Sequence, residues 1–422
     1  AITSAANISD GGALTAGRNL TLTADGSIGI TKAESGDGGE MTLVGVTGID
    51  ADQLYSRGAT TLTADDGVVR IGTMGSLGDV SVSANSLDIG TSGPITFASI
   101  VTDVGDATIG SNNRLIVDNA SIAGTARFSN SGEHMIIRNL TANAAEFNAN
   151  EMLSMTSVSV TNALNADAGT TIAIDGVVTG RDISLASADI AITSTGRVGT
   201  ADQTRGLTLE NNDDEQQTFV GGTGTKNGYH IDADELTRLF GTNIEIFAPE
   251  VNAAVNTSVG SAAPPDVVVD TFTMTGGAAG SNLGATGSLT ITTPGKMRVI
   301  GNVQLTGLSD SNALNLTAND ALEVILGQGT VRLLGANNAP GGQLNMVSDD
   351  IIVATAAASA DVGKATTTDA INTRLGKNDG VVLDEGALFA RGIRFSVNGG
   401  VYVQNSGAGT DFAQRRGLTF GA

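Results

Sequence analysis

The sequence predicts an all-β fold, a single right-handed parallel β-helix with coils of about 20 residues and a few inserted loops or short helices. Three observations carry this. A short phrase of alternating apolar and Thr/Ser residues recurs along most of the chain. The recurrence has a nearly constant period. The composition holds 57 Gly, 3% aromatic residues, no Trp and no Cys. A chain of 422 residues with so few aromatics must build its core from Leu, Ile, Val, Ala and a few Phe. Such residues suit a narrow, repeating interior that grows along one axis.

The phrase reads LTLTADGSIGI from Leu20, TLTADDGVVRIG from Thr61, VSVSANSLDIG from Val80 and ARFSNSGEHMIIR from Ala126. Further copies are AEFNANEMLSM from Ala145, LNADAGTTIAI from Leu164, ISLASADIAIT from Ile183, LTITTPGKMRVIG from Leu289, LNLTANDALEVI from Leu314 and LNMVSDDIIVA from Leu344. Alternation over four or five residues is the period-two signal of a half-buried strand, and the β-branched excess agrees. Gly, Asn and Asp separate the short strands, where turns need positive φ or Asx bonding. Aligning the apolar residue before each turn gives the anchors Leu22, Leu43, Leu62, Val82, Ile109, Phe128, Phe147, Leu164 and Leu185, separated by 21, 19, 20, 27, 19, 19, 17 and 21 residues. Later anchors are sparser: Leu209, Ile291, Leu316 and Met346.

A leucine-rich repeat needs a longer Leu framework with an Asn in the turn, a propeller blade needs about 40 residues, and calcium-binding rolls need GGxGxDxUx; none is present. Stacked coils remain. Spaced about 4.8 Å apart, they pair each backbone group with the coils above and below. They line apolar residues into inward columns and set Thr, Ser and Asn into outward ladders. At about 20 residues per coil the chain would make roughly 21 coils, on the order of 100 Å long.

The rhythm divides the chain into a regular β-helix over 1–209, a stretch with insertions over 210–286, and β-helix again over 287–422 with an insertion near 356–380. Residues 211–229 are polar and Gly-rich and read as a projecting loop. His230 to Pro249 holds one short helix candidate: Asp232 or Asp234 would cap it, Leu236, Leu239 and Phe240 give an apolar face, and Gly241 would end it. Ala370 to Leu375 reads as a helical turn. Residues 251–286, with Ala-Ala-Pro-Pro at 262–265, read as either a second loop or a coil with a Pro-marked corner.

Chemistry is sparse. The acidic groups Asp65–Asp66, Asp213–Asp214–Glu215 and Asp349–Asp350 are the candidates for polysaccharide cleavage. Adjacent strand residues point to opposite faces, and a glycosidase needs two carboxylates a few ångströms apart with split pKa values. These groups read as solvated turn acids. His134 and His230 are too few for an imidazole metal site. ESGDGGE at Glu34 gathers three carboxylates, short of the ligand number Ca²⁺ requires. No GxSxG elbow or phosphate loop occurs. No catalytic, cofactor-binding or metal-binding residue is assigned, and the chain is expected not to be an enzyme. The sequons at Asn7, Asn19, Asn119, Asn139, Asn256 and Asn315 show only that the surface could accept sugar.

The formal net charge of −22 repels nucleic acid and anionic membranes. The absence of Cys suits either an intracellular protein or an exoprotein exported unfolded, and the Ser/Thr/Asn/Gly-rich composition favours the second. AITSAANISDGG lacks a signal peptide's basic start and apolar stretch, and no apolar run is long enough to insert into a membrane.

The phrase GGALTAGRNLTLTADGSIGI, Gly11 to Ile30, resembles the shaft repeats of filamentous haemagglutinin-like exoproteins, the bacterial two-partner-secretion adhesins; Gly17, Asn19, Leu20 and Leu22 carry the likeness most closely. Other autotransporter passengers share the pattern. The resemblance implies a right-handed β-helix, export through an outer-membrane pore to the extracellular bacterial surface, and adhesion or fibre formation. No catalytic residue comes with it. The expected partners are a host surface or glycan and either further copies of the chain or its own continuation into a longer fibre.

Overall fold

The computed structural model describes residues 1–251, 265–326, 330–355, 388–397, 401–403 and 418–421. Strands account for 66% of the chain and helix for 2%, so the fold is all-β, and its parallel coils stack into a β-solenoid. The chain forms two compact units, residues 1–185 with 192–197, and residues 186–191 with 198–422.

In the first unit the period is that of the sequence. Ile2, Leu22, Leu43, Leu62, Val82, Ile100, Ala120, Leu140, Val158 and Val178 form one unbroken parallel column. A second inward column runs Ile30, Ala51, Ile71, Ile89, Ile109, Phe128, Phe147 and Ala166. All nine regular anchors are buried, but they do not share one column. Val82 is followed by Ile100, 18 residues on, and Ile109 pairs with Ile89. The 27-residue gap is therefore a step from one strand column to another. The 17-residue gap is a slip of two positions, because Phe147 pairs with Ala166 and Leu164 with Ala145. Period-two alternation hides such a slip, since position i+2 is apolar as well.

Glycine in this unit serves close approach more than turn conformation. Among its glycines only Gly38 and Gly48 have positive φ. A Cβ on Gly67 would lie 2.1 Å from the Thr47 carbonyl oxygen on the preceding coil. The corners carry buried hydroxyls. Ser35, Ser56 and Ser76 donate to the carbonyls of Gly39, Gly58 and Gly78 at 2.7, 2.9 and 2.9 Å, which pairs backbone oxygens that the strand ladders leave over.

The second unit keeps the parallel stacking and abandons the period. Leu209, Ile246, Ile291, Leu316, Met346 and Phe395 form one buried column. The rung Leu344–Ile393 is 49 residues long and Leu289–Leu314 is 25. Coils this long make the expected count of 21 too high, and the sparse late anchors are neighbours in one column with Ile246 missed between them. A second stack is Thr218–Val220, Val267–Val269 and Lys296–Val299. A separate four-stranded sheet holds Phe272–Thr275, Asn302–Thr306, Thr330–Leu333 and Leu388–Phe389.

Residues 211–229 are thus not one projecting loop: Thr218–Val220 is a rung, with Thr218 and Val220 buried, and Tyr229–Ile231 pairs with it in parallel. The short helix α1 spans Ala233–Leu236. Asp232 caps it in a reciprocal capping box with Glu235. It stops at Thr237 instead of Gly241, and Leu236 and Leu239 are buried as expected. The expected insertion at 356–380 with its helical turn, and residues 252–264 of the Pro-marked segment, lie outside the described residues. The described remainder of that segment is not one loop, because Val267–Val269 and Phe272–Thr275 are strands paired to other coils.

Candidate functional site

Outward side chains of the first unit form ranks across coils, because each rung repeats the strand phase of the one before it. On the face over the Leu22 column, one rank reads Thr21, Thr42, Thr61, Ser81, Ser99, Asn119, Asn139, Ser157 and Val177. The parallel rank reads Thr3, Thr23, Val44, Thr63, Ser83, Val101, Ser121, Thr141, Ser159 and Thr179. No rank position on this face is charged. The amides lock to one another: Asn139 Nδ2 donates to Asn119 Oδ1 at 3.1 Å and to the Asp118 carbonyl, and Asn119 Nδ2 to the Ala98 carbonyl at 3.0 Å. Between the ranks a groove of about 350 Å³ runs across four coils from Ser99 to Ser159.

A second face differs. Asp50, Arg70, Asp88, Thr108, Arg127 and Glu146 occupy successive outward positions of one column. Beside it Gly72, Gly90, Gly110, Ser129 and Asn148 line a groove of about 460 Å³. Reading acids as sequence neighbours missed this column, whose members lie about one coil apart. Arg127 binds Asp106 at 2.6 Å and Glu146 at 3.2 Å. The Thr125 backbone N–H and then Arg127 hold the Asp106 carboxyl below the usual carboxylate range. A general acid needs the opposite shift.

The acids singled out in the sequence do not converge. Asp65 and Asp66 are exposed, Asp213 accepts the Glu215 N–H at 2.9 Å as a turn acid, and Asp349 is exposed. In ESGDGGE, Glu34 pairs with Lys32 at 3.3 Å and Asp37 pairs with Arg57. Among the described residues no group of three or more His, Cys, Asp and Glu is placed to hold a metal ion. His134 lies exposed on its strand, and the His230 ring contacts the Gly221 carbonyl at 3.0 Å and the edge of Phe219. Of the sequon asparagines, Asn119, Asn139 and Asn315 donate their amides into ladders, while Asn7 and Asn19 accept the Ser27 and Glu40 N–H groups.

The second unit holds one buried polar feature that the sequence does not signal. Tyr229 is fully buried, its hydroxyl has no hydrogen-bond partner, and burial with the nearby Asp189, Glu235 and Glu210 carboxylates pushes its pKa up. Burial also raises Asp189.

Among the described residues no helix is long and apolar enough to cross a membrane. Compared with protein families, with curated proteins and with solved structures, the chain matches none.

Proposed function

We propose that this chain is a structural and adhesive segment of a bacterial surface exoprotein, exported to the cell exterior like the filamentous haemagglutinin-like shafts that its phrase resembles. The observation that supports this is the uncharged double rank over the coils from Thr21 to Thr179, in which every position but Val44, Val101 and Val177 is a hydroxyl or amide side chain. A regular solenoid presents the same chemistry many times, and repeated weak contacts sum to avidity. No nucleic-acid or membrane-inserted partner accompanies this reading. Assembly into a longer fibre, by self-association or by covalent continuation, does. Denaturing electrophoresis of native fibres separates these: a band near 42 kDa supports stacked subunits, and a far larger band one giant chain.

The second reading is a polysaccharide-active enzyme, favoured by the charged column beside the Gly72–Gly110 groove. The experiment incubates purified protein with acidic and neutral polysaccharides and measures new chain ends, alongside retention of coated beads on host-cell surfaces. Retention without new chain ends is expected. Turnover would replace the adhesive reading with the enzymatic one.

A further inference from the structure

The groove between the two neutral ranks has a chemistry of its own. Its floor and walls are Ser99, Asn119, Asn139 and Ser157 on one side and Ser121 and Thr141 on the other. Ser121, Thr141 and Ser157 are exposed and Ser99 half-buried, and among the described residues their hydroxyls make no hydrogen bond, so each can donate and accept. The two asparagines are held by Ala98, Asp118 and by each other, so their orientation is fixed before any ligand arrives. A preorganised polar surface loses little entropy on binding.

Charge narrows the occupant. The chain carries −22, yet no charged side chain stands at a rank position on this face. An anionic ligand would find repulsion from the rest of the molecule and no cation in the groove. A peptide strand gains little here, because the backbone groups of the rungs are already paired with the coils on either side. The unmet capacity is hydroxyl to hydroxyl, repeated at the coil spacing of about 4.8 Å. A neutral chain of polyhydroxylated units presents complementary groups at a comparable repeat.

We propose that this groove binds a neutral glycan chain lying along the stacking direction, with Ser121, Thr141 and Ser157 exchanging hydrogen bonds with successive sugar hydroxyls. This rests on the adhesive reading and gives it a ligand class. No aromatic ring lines the groove, so a single site binds weakly, and useful retention comes from many sites on many copies.

The test uses the full chain coated at high density on beads and passed over cellulose, chitin, dextran and heparin matrices. Variants are Ser121→Glu with Thr141→Glu, which place charge and bulk in the groove at exposed positions, and Gln53→Glu, at an exposed position beside Lys32 that belongs to neither rank. Thermal melts confirm that each variant folds. The expected result is retention on at least one neutral matrix, weakened about tenfold or more by the groove pair and unchanged by Gln53→Glu. Retention on none of the three neutral matrices, retention on heparin alone, or equal retention of the groove pair overturns the proposal. So does wild-type self-association that the groove pair disperses, which makes the occupant a second copy. No binding of the wild-type chain to any neutral matrix, with its host-surface retention intact, sinks the groove and leaves the adhesive reading. Release of new chain ends from a retained neutral matrix sinks the adhesive reading and leaves the groove.

Discussion

Truncating Phe147 to Ala tests how the rungs hold one another. Phe147 is 3% exposed and stacks on Phe128 of the preceding coil with ring centroids 5.8 Å apart. Its partner on the next rung, Ala166, and the inward residues beside it on its own strand, Ala145 and Ala149, are small. Phe→Ala changes in cores cost about 3–5 kcal/mol, more where the cavity cannot collapse. Here the rung is hydrogen-bonded on both sides and alanines cannot reach into the space, so the cost falls near the top, about 4–5 kcal/mol. Within that, about 0.5–1.5 kcal/mol belongs to the ring pair. A double-mutant cycle with Phe128→Ala recovers it as a coupling energy. Urea unfolding followed by circular dichroism measures the total. Hydrogen exchange locates it: amides of Ala126–Asn130 and Leu164–Ala168 lose protection before those of Leu20–Ala24, because a solenoid couples nearest neighbours. A cost below about 1 kcal/mol, or a loss of protection spread evenly over all coils, would refute the stacked-column account.

Glycine gives a paired prediction. Gly67→Ala forces a rung away from the Thr47 carbonyl and costs about 1–3 kcal/mol or more, whereas at Gly110 the nearest atom to a new Cβ is Ser129 Oγ at 3.6 Å and the change stays within about 0.5 kcal/mol; thermal melts of the two variants compare them. Asp189 gives a pH prediction. Burial raises its carboxyl in the folded state, so its stabilising protonated form is lost as pH rises through the raised folded pKa. Asp189→Asn keeps an acceptor for the His230 N–H and is more stable than the parent at neutral pH. The advantage shrinks on acidification and is gone below the unfolded carboxyl value of about 3.9. Urea midpoints across pH 3 to 8 measure it, and an advantage that persists at the acid end contradicts the assignment. Asp106→Asn behaves oppositely: its lowered carboxyl stabilises at neutral pH, so the variant is the weaker protein there and the difference fades as pH falls through the depressed folded pKa.

Strand phase and period were legible because they are written locally: Leu20-Thr21-Leu22-Thr23 alternates, and the next copy lies about one coil on. Column membership was not. Val82 and Ile109 look alike in sequence, and only the pairings Val82–Ile100 and Ile89–Ile109 show that they belong to different columns. Outward ladders followed from the same alternation, but the charged column from Asp50 to Glu146 did not, because acids were compared with sequence neighbours when their spatial neighbours lie a coil away. Thr218–Val220 escaped notice because three residues among Gly, Asn and Asp carry no periodicity. Gly67 shows a further gap: composition marks a turn, while the reason for Gly is the carbonyl of the coil beneath.

The register itself is the central claim, and paired cysteines test it in a chain that has none of its own. Ser83 and Val101 are parallel neighbours on adjacent coils, so their Cα atoms stand about 4.8 Å apart, within reach of a disulfide. Uniform anchor spacing would instead place Ser83 beside Gly110. Oxidation of Ser83→Cys with Val101→Cys should close a crosslink in the folded protein, seen as a mobility shift reversed by reductant, while Ser83→Cys with Gly110→Cys should not. A crosslink in the second pair and none in the first would contradict the stacking from which the columns, the ranks and the groove all follow.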